Sequence, residues 1–477
     1  MSNSHIYKVL VPDAPLHRRT EKDVLLSIDK EFSRRAYGEK PLNEKKIIPG
    51  LQQPSLISSY EGSIDRVLFA FPHYAITNQS LVVAYRSVIS ELRSGTQFIV
   101  IYNRSDNETI EEWFDSAGHP ATNITYVALP DYINFTDWAE DAYIALSDAV
   151  DSSSYLMEPW EFPRSGDSLI AQAVQEHTDI TASQAPLIFQ GGNCLIGNNF
   201  WLLGKDYFSD SVQLTQNDRP PVAVPDGKTP EEFVRQLFTD YADQDRRLIV
   251  LGTKRNISIS PYYGTEENGS YYIDIAGGGT GTFQPIFHID MFVSLIGTNS
   301  NGDFEVLVGS PALADQILGT SSPYALNNVY DEFADQLEEE GLIVHRNPLV
   351  HQATLGRIFT LEDLYRIATQ PGYEALLNAV NELIVLGAND QDPITIRDWH
   401  HITWNNCLVE NSTTFGKHVY LPTFGHNSNS DLGSIDQHMK NIWEGFGFTT
   451  HMLGDFNKFA QRQGVVHCIK KYLNRGV

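Results

Sequence analysis

The chain contains few cysteines, no long apolar run and comparatively few basic residues. Cys194, Cys407 and Cys468 are the only cysteines among its 477 residues, and so sparse a set cannot build a disulfide framework. This usage is typical of a reducing compartment, so we expect a cytoplasmic protein. No stretch reaches the roughly 20 consecutive apolar residues of a membrane helix, and the first residues lack the pattern of a signal peptide.

Acidic residues clearly outnumber basic ones. Lysine and arginine number 34 and aspartate and glutamate 60, which gives a formal net charge of −26 at pH 7. This balance argues against nucleic acid as a partner, because phosphates require a basic surface. It would attract cationic ligands, although most of the charge is expected to form a solvated surface. No cysteine or histidine cluster has the spacing of a zinc site, so we expect no metal.

Strand-like and helix-like patterns alternate from about residue 66 onwards. Apolar, β-prone runs such as 66–71 and 97–102 are separated by stretches of helical spacing such as 80–92. The sequence therefore predicts an α+β fold of repeated strand-hairpin-helix units. We expect an N-terminal extension over residues 1–60 and one main domain over 61–477. Two inserts are predicted in this domain, near 261–284, which includes the GGGTG stretch 277–281, and near 354–398.

Cys468 ends the apolar run GVVHC at 464–468, for which a strand over 465–469 is predicted. A cysteine in such a run is more often a small buried apolar residue than a nucleophile. A nucleophilic cysteine needs a histidine and carboxylates that approach it only in the folded chain. Because neighbours on a strand point to opposite faces, His467 is expected to face away from Cys468.

Two upstream segments carry polar residues in apolar surroundings. His288 and Asp290 are two residues apart on a predicted strand over 287–296, so both should lie on one face. An imidazole and a carboxylate are costly there unless they pair or line a cavity, and both alternatives are open. Asp141 precedes a predicted strand over 143–146 and is either a turn acid or a second carboxylate. Two carboxylates in one dry site would match the fixed donor fork of a guanidinium.

Four segments resemble, in the expected order, the guanidino-modifying enzymes of the pentein superfamily. Residues 287–311 and 416–468 are most similar to the catalytic domain of peptidylarginine deiminases, with agmatine and arginine deiminases more distant. The resemblance implies a pentein fold (an α/β propeller) of five ββαβ-type units with pseudo-fivefold symmetry and a central site. The four segments are Trp138-x-x-Asp141, Phe189-x-Gly191-Gly192-Asn193, His288-x-Asp290-x-Phe292-x-Ser294 and Gly464-x-x-His467-Cys468.

The same resemblance implies roles for individual residues. Cys468 would attack the guanidinium carbon, and Asp141 and Asp290 would hold its nitrogens. His288 would protonate the leaving ammonia and then activate the water that releases a ureido, citrulline-type product. The residues expected to bind substrate are Trp138, Gln190, Asn193 and Arg164.

Some positions depart from the resemblance and leave alternatives open. Gln190 stands where free-arginine deiminases of the superfamily carry a glutamate, which disfavours a plain arginine deiminase. Ile144 stands where the vertebrate peptidylarginine deiminases carry a calcium-binding acid, so calcium dependence lacks support and no cofactor is expected. Arg164 is the candidate for the arginine that contacts a peptide backbone in those enzymes, and protein and small-molecule substrates both remain open.

Three functions are therefore weighed. The first is a hydrolase that converts a peptidyl-arginine or arginine-like guanidinium to a ureido product plus ammonia through a covalent cysteine intermediate. The second is an amidinotransferase, in which an amine captures the same intermediate. The third is a non-catalytic pentein binding module, which the presence of Cys468, His288, Asp141 and Asp290 disfavours. The expected partner is a guanidino substrate, without nucleic acid or membrane, and a homodimer is left open.

Overall fold

The computed structural model describes residues 51–476, apart from 165, 219, 256, 258–261 and 277–282. Most of the predicted N-terminal extension, residues 1–60, therefore lies outside the described residues, and so does the GGGTG stretch at 277–281. The remainder is a mixed fold of strands and helices, and the predicted α+β class is confirmed.

The described residues form twenty β-strands. They are β1 (Pro54–Leu56), β2 (Ser63–Phe71), β3 (Gln97–Asn103), β4 (Ile124–Leu129), β5 (Ile144–Asp148), β6 (Ser154–Glu158), β7 (Thr181–Gln184), β8 (Cys194–Ile196), β9 (Phe200–Gly204), β10 (Arg247–Leu251), β11 (Tyr262–Glu267), β12 (Ser270–Ile275), β13 (Val293–Thr298), β14 (Phe304–Ser310), β15 (Ile343–Thr360), β16 (Pro393–Thr403), β17 (Leu408–Ser412), β18 (Gly416–Thr423), β19 (Thr449–Asp455) and β20 (Lys470–Gly476).

Twelve α-helices lie between these strands in the described part of the chain. None of them has the length and apolar character needed to cross a membrane. They are α1 (His73–Thr77), α2 (Gln79–Glu91), α3 (Asn107–Ser116), α4 (Ile170–His177), α5 (Lys205–Thr215), α6 (Pro230–Tyr241), α7 (Pro311–Leu318), α8 (Asn327–Glu339), α9 (Leu361–Ala368), α10 (Glu374–Val385), α11 (Gly433–Gly445) and α12 (Asn457–Gln461).

The strands form five sheets with a shared order of connection. Each sheet contains an antiparallel pair whose second strand is joined through one or two helices to a parallel neighbour, because parallel strands require a long crossover. None of the five sheets closes on itself within the described residues, and an arrangement about a pseudo-fivefold axis stays a prediction. The strand orders are β1-β5-β6-β7, β10-β9-β8, β11-β12-β16-β15-β14-β13, β17-β18-β19 and β20-β2-β3-β4.

The sheet that holds β2 shows how the core forms. β2 lies between β3, which is parallel to it, and β20, which is antiparallel to it. Its residues 67–71 are all buried, as expected for a strand that is covered on both faces and therefore carries a continuous apolar run. Helix α2 packs its apolar face into the same core, and the Asn78 side chain caps it by accepting from Ser80 N. The pairing of β20 with β2 fixes the segment that follows Cys468.

The two predicted inserts lie side by side. β11 and β12 from the first insert join the sheet of β15 and β16, with β12 parallel to β16. Helices α9 and α10 from the second insert enclose a separate apolar cluster with these strands. The structure thus shows one lobe built from both stretches, while the predicted domain boundaries stay predictions.

Candidate active site

Four side chains that the sequence indicated come together in the folded protein. Asp141, His288, Asp290 and Cys468 each expose 2% or less of their surface. His288 Nδ1 lies 3.5 Å from Asp141 Oδ1, and the Cys468 thiol donates to Asp290 Oδ2 over 3.7 Å. A thiol, an imidazole and two carboxylates therefore share one buried site.

Cys468 lies on a turn, so the prediction of a strand over 465–469 is wrong. Residues 466–469 form the turn, and β20 begins only at Lys470. Val465 and Val466 are nevertheless fully buried in the core. The β-prone character of this run thus reflects side-chain burial and not pairing with a neighbouring strand.

His467 belongs to the site, and the prediction that it faces away from Cys468 is also wrong. That prediction assumed the alternating faces of a strand, which a turn does not impose. His467 Nδ1 lies 2.8 Å from Asp290 Oδ2. Burial lowers the pKa of His467 well below its usual value, and the nearby Lys470 acts in the same direction. The ring is therefore neutral, and its Nδ1 donates to Asp290 when that carboxylate is ionised.

The predicted strand over 287–296 is interrupted at the site. Ile289–Met291 forms a 3₁₀ turn, and β13 starts after it. His288 Nε2 lies 2.9 Å from Gln190 Oε1 and 3.3 Å from the Tyr207 hydroxyl, whereas Asp290 faces the thiol. Both side chains enter the site, but the turn gives them different partners. A continuous strand would have placed them side by side on one face.

Two adjacent glycines allow the backbone to approach His288. A Cβ on Gly192 would lie 2.5 Å from His288 Nδ1, and a Cβ on Gly191 would lie 2.0 Å from the Glu140 carbonyl oxygen. Any larger residue would displace these groups. Glycine at both positions therefore permits this close approach of the backbone.

Asn193 connects this glycine turn to the histidine segment. Its Oδ1 accepts from Ile289 N at 2.9 Å, and its Nδ2 donates to Gln284 Oε1 at 3.2 Å. These contacts hold the backbone next to His288. The predicted contact of Asn193 with substrate, like that of Gln190, stays a prediction.

Arg164 is buried and binds the carboxylates of the site. Its Nη2 donates to Asp141 Oδ2 at 2.8 Å, and its Nε donates to Asp167 Oδ2 at 2.6 Å. The predicted contact with a peptide backbone would have to be made by a guanidinium that already holds two carboxylates. In the structure Arg164 orients Asp141 through the hydrogen bond from Nη2.

Trp138 packs against Gly464, which precedes the turn of Cys468. Gly464 packs so closely on its ring that a Cβ there would lie 2.1 Å from Trp138 Cζ3. The Arg462 guanidinium lies 5.0 Å from the ring centroid and is held in place by Asp137. Trp138 thus fixes the entrance to the cysteine turn, and its predicted contact with substrate stays a prediction.

Comparison with known proteins identifies the fold. No family model matches the chain, and no curated protein matches it. A structural-genomics protein that is proposed to be an agmatine deiminase matches with 12% identity and a TM-score of 0.56, over 91% of this chain and 99% of that one. The agmatine deiminase of Enterococcus faecalis matches with 13% identity and a TM-score of 0.52, over 91% and 100%.

The chain has the pentein fold of agmatine deiminases. At 12% and 13% identity this likeness concerns the fold alone. The chain thus shares its fold with these proteins, whereas membership of the guanidino-modifying superfamily stays a prediction. These matches do not support the predicted closeness to peptidylarginine deiminases.

Burial opposes negative charge on the two acids and on the thiol of the site. It raises the pKa of Asp141 to about 6, although Arg164 partly offsets it. The pKa of Asp290 is raised well above its usual value by burial and by the charge of Asp141. The pKa of the Cys468 thiol is likewise raised, by burial and by Asp290. A bound cation would favour the ionised form of all three groups.

Glu140 is a buried acid whose pKa is lowered, and no role was predicted for it from the sequence. Its carboxylate accepts from Lys470 Nζ at 2.8 Å and from Lys471 Nζ at 2.7 Å. Burial alone would raise the pKa of Glu140, but the two lysines outweigh it and lower the pKa to about 2. Its N–H also donates to the Cys468 carbonyl at 3.1 Å, so Glu140 connects the turn of Asp141 to the turn of Cys468.

The buried charges around the site do not balance. With all four acids ionised, four carboxylates would face three cationic side chains, a formal excess of one negative charge. The raised pKa values of Asp141 and Asp290 oppose that ionisation unless a cation binds. This excess equals the charge of one guanidinium. The carboxylates are Asp141, Asp167, Asp290 and Glu140, and the cations are Arg164, Lys470 and Lys471.

Two buried carboxylate oxygens also lack hydrogen bonds. Asp141 Oδ1 and Asp290 Oδ1 have no hydrogen-bond partner among the described residues. Such oxygens are costly to bury unless a ligand supplies donors. In the described residues, no group of three or more histidine, cysteine or acidic side chains is arranged to hold a metal ion, and a requirement for calcium or another cofactor is not tested by this arrangement.

Proposed function

We propose that the protein is a deiminase of a guanidino compound, with Cys468 as its nucleophile. The observation that carries this proposal is the pair of buried oxygens, Asp141 Oδ1 and Asp290 Oδ1, beside a thiol in a site with a formal excess of one negative charge. A guanidinium supplies donors in a fixed plane for two carboxylates and neutralises the excess.

Substrate binding would prepare the thiol for attack. In the free enzyme the raised pKa of Cys468 keeps sulfur protonated, and a guanidinium between Asp141 and Asp290 shields it from their charges. The thiol proton passes to His288, and the resulting thiolate attacks the guanidinium carbon and forms a C–S bond. His288 donates a proton to one nitrogen, the C–N bond breaks, and ammonia leaves.

Water would complete the reaction. His288, now without that proton, removes one from a water molecule that attacks the same carbon. The C–S bond breaks, the ureido product leaves, and the sulfur returns to its starting state. An amine in place of water would make the protein an amidinotransferase.

The cations of the site favour a substrate without a free carboxylate. Arg164 is bound to Asp141 and Asp167, and Lys470 and Lys471 are bound to Glu140. None of these cations is left to bind the α-carboxylate of free arginine. Agmatine lacks a carboxylate and meets this condition, and it carries an ammonium group as a second cation besides its guanidinium. Peptidyl-arginine is the second candidate because residues 287–311 and 416–468 resemble peptidylarginine deiminases.

The test is incubation with agmatine, free arginine and an arginine-containing peptide, each with and without calcium. We expect ureido product and equal amounts of ammonia, with agmatine turned over fastest. Cys468→Ala should abolish turnover, whereas Cys407→Ala, which alters a buried cysteine outside the site, should retain it. Absence of ureido product from all three compounds would refute the proposal, and amidine transfer to an added amine without ammonia would select the transferase.

A further inference from the structure

We propose that Asn406 is a further catalytic residue, whose side-chain amide stabilises the thiolate that Cys468 forms for its attack. This inference rests on the proposed function in so far as Cys468 is taken as the nucleophile. Asn406 lies between β16 and β17 and is completely buried. It belongs to none of the four segments that the sequence indicated.

The amide of Asn406 contacts every part of the cysteine turn. Its Nδ2 donates to Cys468 Sγ at 3.2 Å. Its Oδ1 accepts from His467 N at 2.9 Å and from Cys468 N at 3.2 Å. Nδ2 also donates to the Asp290 carbonyl oxygen at 3.4 Å. One side chain therefore positions the thiol, its backbone and the adjacent acid.

These contacts fix the orientation of the amide. If its oxygen and nitrogen were exchanged, the NH₂ group would face two backbone N–H donors, and the oxygen would face a carbonyl oxygen. Such an arrangement would place two backbone N–H groups and one carbonyl oxygen in unfavourable contact with the amide. The donor therefore points at the sulfur.

A neutral donor suits this position better than a cation would. Asp290 and Asp141 both oppose ionisation of the thiol, so a thiolate needs stabilisation from elsewhere. A lysine or arginine would supply it but would also repel the guanidinium. An amide stabilises the sulfur anion through a charge-assisted hydrogen bond and leaves the excess negative charge for the substrate.

The test compares Asn406→Ala with Asn405→Ala. Asn405 is the adjacent buried amide, and its side chain binds Ser294, Asn347 and the Leu307 carbonyl, so it serves as the matched control. The rate of Cys468 alkylation by iodoacetamide is followed by peptide mass spectrometry from pH 6 to the highest pH at which each protein stays folded. For Asn406→Ala we expect the midpoint to rise by about one pH unit and the rate at pH 7.5 to fall about tenfold. Asn405→Ala should keep the wild-type midpoint.

A second variant guards against loss of folding. In Asn406→Ser the hydroxyl can still accept from a backbone N–H, which helps to preserve the fold. The serine side chain is too short to reach the sulfur, so the same rise of the alkylation midpoint is expected. A wild-type midpoint in either folded variant, or an equal shift in Asn405→Ala, would overturn the inference. Alkylation can be measured without turnover. If the midpoint shifts in Asn406→Ala but the protein converts no guanidino compound, the deiminase proposal is rejected and the role of Asn406 at the sulfur is retained.

Discussion

Glu140 and Asp141 are adjacent acids on one turn, yet the two sides of that turn have opposite electrostatics. Glu140 meets two lysines, and its pKa falls to about 2. Asp141 has one arginine, which it shares with Asp167, and its pKa rises to about 6. Both side chains are buried. Burial therefore does not distinguish an acid that holds the fold from one that awaits a ligand, whereas the number of opposing charges does.

The largest expected effect is the loss of activity when a carboxylate proposed to bind the guanidinium is replaced. Asp290→Asn removes a carboxylate that would hold the guanidinium, and we expect kcat/KM to fall about a thousandfold or more. Thermal unfolding should occur at the wild-type temperature or above, because the raised pKa of Asp290 shows that its charge is not compensated. Steady-state kinetics and calorimetry provide both numbers. If the variant loses stability together with activity, Asp290 is an acid that holds the fold, like Glu140, and not one that binds a ligand.

The converse is expected for Glu140→Gln. It leaves the buried Lys470 and Lys471 without a countercharge, and loss of one partner of a buried ion pair costs about 3–5 kcal/mol. Urea unfolding should show this decrease in the free energy of unfolding. A decrease below about 1 kcal/mol, which is within the range of exposed ion pairs, would contradict the structural assignment of Glu140.

The pH dependence of binding should separate the two acids. In the free protein Asp141 binds a proton as the pH falls through about 6, and a neutral carboxyl cannot pair with a guanidinium. The Kd of agmatine for the Cys468→Ala variant should therefore rise up to about tenfold per pH unit below pH 6. Glu140, with its pKa of about 2, stays ionised and contributes nothing there. Calorimetric titration between pH 5 and 8 measures this, and a constant Kd would exclude Asp141 from binding.

The smallest effect concerns the second lysine. Lys471→Met leaves Glu140 paired with Lys470, so the cost is that of one charged hydrogen bond, about 1.5–3 kcal/mol. Urea unfolding alongside Glu140→Gln gives the comparison. A loss as large as that of Glu140→Gln would mean that the two lysines act only together.

The sequence predicted which segments matter better than it predicted their local structure. The resemblance of the four segments to a known family indicated Asp141, His288, Asp290 and Cys468, and the structure brings their side chains together, although their roles stay predictions. Strands were predicted over 287–296 and 465–469 because valine, isoleucine and phenylalanine favour strands. Turns occur instead at both sites, because burial satisfies the same residues without strand pairing.

Contacts between distant parts of the chain could not be predicted. The lysines that hold Glu140 lie 330 and 331 residues further along, and no local pattern links them to it. The same holds for Asn406 and Cys468, which are 62 residues apart. The cytoplasmic location, the homodimer and the fivefold arrangement are not tested by any of these contacts and stay predictions.

The pairing of β20 with β2 has a consequence for the order of folding. Ser63 pairs with Gly476, so the strand that follows the cysteine is placed by a contact across roughly 400 residues, and the entropy of closing so long a loop delays such contacts. Until that contact forms, Cys468 is an ordinary thiol away from its carboxylates. Recovery of turnover during refolding should therefore lag behind recovery of helix, and turnover would report the last step of assembly.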